Sequence, residues 1–306
     1  MDSVSDVCDL HGPRASDRPA VCRNFLLRYL GDADGRCGWA RRPLLMRAGK
    51  RCGLLCPAAF LVLLLLLFSW RPALAGADAP PLRAPGVAAD DARRIVDINS
   101  PPWDAVARVQ TNIGSRCTGT LVAPRLVLTA AHCLYNHRTR RLLQPVSLHV
   151  LFGYALGEYR THLTVESVQV GAGYDGTRPG ASLGHDWALL RLSGDAGVRP
   201  LPWQGTPPTA GQAVAVAGFS QDRTHLLMVD RDCPLREMRE TDAGRLLIHG
   251  CSASRGTSGG PVLLHLGGVW QVVGLNIAAG ATANIGLWHP AIQAAIAGRS
   301  PAAVAP

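Results

Sequence analysis

The chain has 306 residues, of which 47% are hydrophobic, so it can bury a sizeable core and is not disordered throughout. Its formal charge of +9 is carried by arginine, because Lys50 is the only lysine. More than half of the excess charge lies upstream of residue 76, and no downstream arginine cluster alternates with aromatic residues as a nucleic-acid groove would require. These features argue against nucleic acid as a partner.

The chain begins with residues 1–45, which have mixed charge and no apolar periodicity, and which we interpret as a spurious or disordered extension. Residues 46–75 have the pattern of a secretory signal, with basic residues, then an apolar run, then the small-residue pattern Ala-Leu-Ala ending at Ala75. Met46 would then be the true start and Gly76 the first exported residue. The alternative is an uncleaved membrane anchor with a cytoplasmic tail, and both interpretations place the remainder outside the cytoplasm.

Residues 76–97 are rich in alanine, proline and charge, so we predict a flexible lead or pro-segment there. From about Ala105 the chain consists of short β-rich runs separated by glycine and proline. This pattern predicts an all-β sandwich or pair of barrels, with the proline-rich stretch 198–212 joining two similar halves. A single convincing helix is predicted near the end, at residues 289–297.

Four cysteines lie in the β-rich region, at Cys117, Cys133, Cys233 and Cys251. An even number in an exported domain predicts two disulfides in an oxidising compartment. Unpaired buried thiols or a metal site are the weaker alternative, because no pair has Cys-x-x-Cys spacing. A short turn between two strands would place Cys117 beside Cys133, and their disulfide would fix the backbone that carries His132. Positional rigidity is what a general base needs.

Two further motifs follow in chain order. Asp186, in GHDWALLRL, immediately precedes an apolar strand, where a carboxylate can accept a hydrogen bond from an imidazole and hold it in one tautomer. Ser258, in GCSASRGTSGGP, stands among small residues that suit a nucleophile or an ordinary tight turn equally well. An α/β-hydrolase needs its acid after the serine, but the last acidic residue of the chain is Asp242.

Taken in this order, the motifs TAAHC, DWALL and GTSGGP resemble those of the trypsin-like serine peptidases of the chymotrypsin fold, especially their secreted bacterial members. The resemblance covers about residues 105–298. It implies a peptidase domain over residues 98–300, built from two six-stranded antiparallel β-barrels and a short C-terminal helix. The first barrel is expected at about 98–197 and the second at about 210–290, with a tail at 301–306.

The resemblance also implies hydrolysis of peptide bonds in a protein or peptide substrate by a monomer that needs no cofactor and no metal. Ser258 would attack the scissile carbonyl, His132 would take its proton, and Asp186 would orient the imidazolium. The N–H groups of Gly256 and Ser258 would face the developing oxyanion, which explains the glycine, because a side chain there would obstruct this peptide orientation. A catalytically silent peptide-binding protein on the same fold is the alternative from another class.

The primary specificity pocket is implied to have Ser252 and Ala253 at its floor and a wall formed by Asn276, Ile277 and Ala278. No acid stands at these positions to bind lysine or arginine, so we expect an uncharged pocket that accepts polar or small side chains. Asn276 occupies the position at which glutamate-selective relatives have histidine.

The chain departs from the family beside the nucleophile. Thr257 stands where many members have the aspartate that pairs with a new N-terminal amine after zymogen cleavage. Residues 94–96, Arg-Ile-Val, resemble such a cleavage site, but without the acid that ion pair cannot form. The remaining cysteine pair, Cys233 and Cys251, would restrain the segment before the nucleophile by about 3 kcal/mol.

Overall fold

The computed structural model describes residues 84–299. The sequence extension (residues 1–45), the secretory signal (residues 46–75) and the tail (residues 301–306) lie outside the described residues. Within the described range, no helix has the length and apolar character needed to span a bilayer.

Short β-strands dominate the described chain, as the β-rich runs predict. The strands are β1 (Arg94–Ile95), β2 (Val106–Thr111), β3 (Arg116–Ala123), β4 (Leu126–Thr129), β5 (Tyr135–Asn136), β6 (Arg141–Leu142), β7 (Leu148–Phe152), β8 (Thr161–Val170), β9 (Ala188–Leu192), β10 (Ala213–Gly218), β11 (Met228–Glu240), β12 (Arg245–His249), β13 (Pro261–Leu266), β14 (Val269–Ala279) and β15 (Asn284–Trp288). Single turns of 3₁₀ helix lie at Trp103–Ala105, Ala131–Leu134, Pro145–Ser147, Leu183–His185 and Gln221–Arg223.

The first barrel closes in the order β2-β3-β4-β9-β8-β7, with every pairing antiparallel. Its interior is filled by apolar side chains that are at most 1% exposed, among them Leu121, Leu128, Phe152 and Leu190. Closure leaves no free sheet edge, so the backbone of each strand is paired on both sides.

The second barrel consists of β11-β10-β13-β14-β15-β12 and closes because β11 pairs with β12 as well as with β10. Strand β11 is 13 residues long, and the register shift between Val214 and Val216 of β10 lets it bend from one partner to the other. Strand β1 pairs with β11 as an additional strand. The expected fold of two six-stranded antiparallel barrels is therefore confirmed.

Residues 198–212 run from the first barrel to the second and contact both. The N–H of Leu201 donates to the carbonyl of Leu121 in the first barrel at 2.9 Å, and the N–H of Val272 in the second barrel donates to the carbonyl of Pro202 at 2.8 Å. Because both bonds involve the same short stretch, this connection helps to fix the two barrels against each other.

The helix α1 spans Pro290–Arg299, close to the predicted range of 289–297. Proline at its first position suits a helix start, because that residue needs no N–H donor. The ring Nδ1 of His289 accepts a hydrogen bond from the N–H of Ala291 at 3.0 Å and so satisfies one of the unpaired donors of the first turn. Ile292 is fully buried and attaches the helix to the core.

Residues 84–93, assigned from the sequence to a flexible lead, lie against the second barrel, and we call them the lead segment. The carbonyl of Gly86 accepts hydrogen bonds from the N–H of Ala253 at 2.9 Å and from Nδ2 of Asn284 at 2.8 Å. The side chain of Arg93 is buried. A flexible lead therefore does not describe this part of the chain. Its contacts are polar and largely made by the backbone, so they leave no alternating apolar pattern in the sequence.

Candidate active site

Strand pairing brings His132 and Asp186 to one end of the first barrel. His132 lies in the 3₁₀ turn that follows β4, and Asp186 lies just before β9, whose Ala188 pairs with Thr129 of β4. The Asp186 carboxylate accepts from His132 Nδ1 at 2.6 Å and from the His132 main-chain N–H at 2.9 Å. Because Nδ1 carries this bond, Nε2 is the nitrogen left to act as a base. Asp186 is only 5% exposed, so this pair is shielded from water.

Both predicted disulfides are present. Cys117 and Cys133 are joined with a Cα–Cα distance of 6.1 Å, which links β3 to the turn that carries His132. Cys233 and Cys251 are joined with a Cα–Cα distance of 5.0 Å, which links β11 to the chain leading toward the nucleophile. Each bridge therefore restrains a segment next to a candidate catalytic residue.

Thr118, which the sequence analysis missed, fastens the two barrels together beneath Ser258. Its N–H donates to the Ser258 carbonyl at 2.8 Å, and its hydroxyl donates to the Gly256 carbonyl at 2.8 Å. The same hydroxyl accepts from the N–H of Phe219 at 3.0 Å, and the Thr118 carbonyl accepts from the hydroxyl of Thr129 at 2.7 Å. No sequence signal could reveal this role, because the hydroxyl's partners lie more than a hundred residues away.

The segment 254–260, which we call the nucleophile turn, presents two unused backbone donors. The carbonyl of Arg255 accepts a hydrogen bond from the N–H of Gln221 at 2.6 Å. In a trans peptide the C=O and N–H groups point in opposite directions, so the N–H of Gly256 points away from Gln221. Within residues 84–299, the N–H groups of Gly256 and Ser258 donate to no protein acceptor. They are therefore available to an oxygen of a ligand.

Glycine at position 256 is required by the local geometry. Its φ is +94°, in the region that favours glycine, and a Cβ built there would collide with the carbonyl oxygen of Phe219. A substitution would therefore force Gly256 and the peptide before it to move.

A cleft of about 670 Å³ runs past these groups, and its lining includes His132, Gly256 and Ser258. No hydrogen bond joins the Ser258 hydroxyl to the imidazole in the described part of the chain, and catalytic bonds of this kind often tighten only when substrate binds. The charged side chains along the cleft are arginines, Arg116 and Arg255, and among the described residues no carboxylate lines it. The cleft therefore offers a polar, cationic rim.

The residues expected to form the specificity pocket divide into two groups. Asn276, Ile277 and Ala278 line the cleft, as the resemblance implies for a pocket wall. Ser252 and Ala253 are at most 2% exposed and do not line it, so the structure does not place them at an open floor.

The lead segment explains this difference. The N–H of Ala88 donates to Ser252 Oγ at 3.0 Å, and the carbonyl of Gly86 accepts from the N–H of Ala253. Pro85 lines the cleft instead. Gly86 has a φ of +87°, and a Cβ there would collide with the carbonyl oxygen of Ala253, so the close approach depends on glycine.

A buried histidine lies behind the pocket wall. His249 is fully buried, and its Nε2 is 3.1 Å from Oδ1 of Asn276. Burial lowers the pKa of His249 to about 4, so the ring is neutral near pH 7 and Nε2–H donates to the amide oxygen. This bond fixes the orientation of the Asn276 amide.

The described residues contain one grouping of potential metal ligands, formed by Cys117, His132 and Cys133. Both sulfur atoms are already joined in the disulfide, so neither is available as the thiolate that a metal would need.

The fold and the site together define a class of protein. Two closed six-stranded antiparallel barrels, with a histidine–aspartate pair and a glycine-rich serine turn facing one cleft, are the architecture of the chymotrypsin-like serine peptidases. Residues 117–275 match the family described as "Trypsin-like peptidase domain", and the chain belongs to this family.

Two insect proteins are similar to the chain. It is 29% identical over 211 residues to "CLIP domain-containing serine protease B10" of Anopheles gambiae, and the matched region covers 55% of this chain and 56% of that protein. It is 28% identical over 222 residues to "Phenoloxidase-activating enzyme 1" of Spodoptera litura, which covers 59% of this chain and 57% of that protein. The chain thus spans little more than half the length of these relatives, and the likeness is not confined to bacterial members.

Among solved structures, "Structure of Glu endopeptidase in complex with MPD" is similar over its whole length. The match has a TM-score of 0.58 and 25% sequence identity, and it covers 69% of this chain and 99% of that chain.

We expect the free energy of unfolding to decrease as the pH falls from about 6.5 to about 4, because unfolded His249 takes up a proton in this range while the buried ring does not. The unfolded state then binds more protons, so stability rises with pH across the window. Replacing the ring by an amide in His249→Gln should remove roughly 3 kcal/mol of this dependence. Thermal unfolding at a series of pH values measures it.

The matched control is His265→Gln, at an exposed histidine on β13 of the same barrel. Its pH dependence should equal that of the wild type. An unchanged slope in a folded His249→Gln variant would contradict the neutral, buried state of His249.

Proposed function

We propose that the protein is a serine endopeptidase that hydrolyses peptide bonds through an acyl-enzyme at Ser258. One observation supports this proposal above all: three features meet at a single cleft. They are the His132–Asp186 pair, the Ser258 side chain and two backbone N–H groups that donate to no protein acceptor among the described residues. A binding protein on the same fold would need neither an oriented imidazole nor a pair of unused donors beside a serine.

Each residue has a defined part in the proposed reaction. Ser258 Oγ attacks the scissile carbonyl while His132 Nε2 takes its proton and later gives it to the leaving amine. Asp186 stabilises the imidazolium through the 2.6 Å bond to Nδ1. The N–H groups of Gly256 and Ser258 donate to the oxyanion, and losing one such donor typically costs about 10² to 10³ in rate. A water molecule then gives a proton to His132 Nε2 and attacks the acyl carbonyl, and the ester bond to Ser258 breaks as the imidazolium returns a proton to Oγ, which releases the carboxylic acid product.

The cleft suggests which substrates are accepted. Its wall of Asn276, Ile277 and Ala278 is uncharged, and the charged groups nearby are Arg116 and Arg255. A positively charged side chain would therefore lose hydration without gaining a carboxylate partner. We propose that the residue before the scissile bond is small or polar and carries no positive charge. The solved relative is a Glu endopeptidase by name, which makes an acidic side chain a further candidate.

The cysteine chemistry supports an extracellular or periplasmic location. Two disulfides within one domain persist only where the surroundings are oxidising. Residues 46–75 have the pattern of a secretory signal, so we propose that they direct export and that Gly76 begins the exported chain. A membrane-anchored peptidase that faces the outside is the alternative.

Ser258→Ala is expected to abolish covalent labelling by a fluorophosphonate and to reduce peptide hydrolysis by at least about 10⁴-fold, because it removes the nucleophile. Gel detection of the labelled protein measures this directly. The control is Ser193→Ala, at an exposed serine in a turn away from the cleft, which should label like the wild type. A wild-type chain that binds peptides but neither labels nor cleaves would instead be a silent binding protein.

Cleavage of a mixed peptide library should show small, polar or acidic residues before the cut. Lysine and arginine should be found there at least about tenfold less often than these residues. Mass spectrometry of the products identifies the cut sites. A dominant preference for lysine or arginine would contradict the assigned pocket wall.

N-terminal sequencing of the exported protein should give a start at or near Gly76. Recovery of the intact chain in the membrane fraction would favour the anchored alternative over cleavage.

A further inference from the structure

A buried arginine of the lead segment lies beside the nucleophile turn. The Arg93 side chain is 2% exposed and is held between two carboxylates. Its Nε is 2.7 Å from Asp91 Oδ1, and its Nη2 is 2.6 Å from Asp222 Oδ2. Two further contacts, Nη2 to Asp91 Oδ2 at 3.0 Å and Nη1 to Asp222 Oδ1 at 3.1 Å, make both pairs bidentate. Bidentate pairs of this kind are strong and geometrically specific.

The Asp222 carboxylate connects Arg93 to the nucleophile turn. Its Oδ1 accepts a hydrogen bond from the hydroxyl of Ser254 at 3.0 Å. The hydrogen bonds from Arg93 lower the pKa of Asp222, so the carboxylate stays charged over the range in which the site would work. One carboxylate thus connects the lead segment to the start of the nucleophile turn.

Gln221, the residue before Asp222, orients the Arg255–Gly256 peptide, whose N–H would donate to the oxyanion. Gln221 donates its N–H to the Arg255 carbonyl, and this bond keeps the Gly256 N–H turned away from Gln221 and available in the cleft. Gln221 and Asp222 belong to one 3₁₀ turn of three residues, Gln221–Arg223. A group that holds Asp222 in place therefore also holds the Gln221 N–H in place.

Within the described part of the chain, Thr257, the residue before Ser258, takes part in no ion pair. The hydroxyl of Thr257 is 2.9 Å from the hydroxyl of Ser220, which is a neutral contact. Ile95, which cleavage after Arg94 would make the new N-terminus, is 60% exposed and lies in β1, paired with Met228. The buried positive charge near this turn is thus the side chain of Arg93, not the amine of a new N-terminus.

We propose that Arg93 is a positioning residue that, through Asp222, keeps the Gly256 N–H directed at the substrate oxyanion, so that the peptidase needs no cleavage at Arg94–Ile95. This inference rests on the proposed function. Arg93 touches no substrate atom. It acts on the transition state through the peptide that Gln221 orients.

The test compares variants of the complete protein in steady-state peptide hydrolysis. Arg93→Gln removes the charge and should lower kcat about 100-fold with KM changed less than about threefold, because the oxyanion contact forms only in the transition state. Arg93→Lys keeps the charge without the bidentate fork and should recover part of kcat. Mass spectrometry of the active wild type should find the Arg94–Ile95 bond intact.

The matched control is Arg223→Gln. Arg223 lies in the same 3₁₀ turn and its Nη2 is 3.4 Å from Asp91 Oδ2, but its side chain is 43% exposed. Its kcat should stay within about twofold of the wild type, since exposed ion pairs contribute little. If Arg93→Gln does not fold, Ser254→Ala is the variant to measure. It removes the hydrogen bond from Ser254 to Asp222 while leaving both ion pairs of Arg93 intact. Its kcat should fall about tenfold.

The outcomes separate the two proposals. A wild-type chain that neither labels with a fluorophosphonate nor hydrolyses peptides refutes the proposed function. An active wild type overturns the role of Arg93 alone if a folded Arg93→Gln or Ser254→Ala variant keeps its kcat, if Arg223→Gln loses as much, or if activity appears only after cleavage at Arg94–Ile95.

Discussion

The site depends on the attachment of the two barrels to each other beneath Ser258. His132 and Asp186 belong to the first barrel and Ser258 to the second, so their geometry is only as precise as the contact between the barrels. Thr118 makes that contact with its N–H and its hydroxyl, and its carbonyl is held in turn by Thr129. These bonds are shielded from water, where an unpaired donor or acceptor would be costly. The barrels are thereby held in one arrangement.

The nucleophile turn is held by polar contacts, in contrast to the apolar interiors of the barrels. The barrels are stabilised by buried aliphatic side chains, but the nucleophile turn is shaped by hydrogen bonds from its neighbours. Gln221 orients the Arg255–Gly256 peptide, and the lead segment contributes Gly86 at the pocket and Arg93 at the turn. Hydrophobic burial is not directional, whereas a hydrogen bond specifies the direction of a donor. The proposed site, which would aim two N–H groups at one oxygen, therefore depends on these polar contacts.

The sequence was informative where function depends on local pattern. Strand runs, turn glycines and the three motifs around His132, Asp186 and Ser258 are each contained in about ten residues. The structure brings His132 and Ser258 to one cleft, with Asp186 bonded to His132. The sequence was uninformative for the contacts of Thr118 with Gly256 and of Arg93 with Asp222, because these partners are distant in the chain and both residue types are common on surfaces. The lead was misjudged for the same reason, since alanine, proline and charge are typical of flexible segments. Ser252 and Ala253 were consequently expected at an open floor that the lead segment covers.

The sequence by itself determined the all-β class, the expectation of two disulfides and the order of the candidate catalytic residues, because strand period, even cysteine number and short motifs can be read from the sequence without the fold. Only the tertiary structure decided which backbone groups face the cleft, how the lead segment covers the pocket residues and which arginine is buried. Those features follow from contacts between segments tens to more than a hundred residues apart. Such contacts join segments that only the folded barrels bring together, so no local pattern in the chain encodes them.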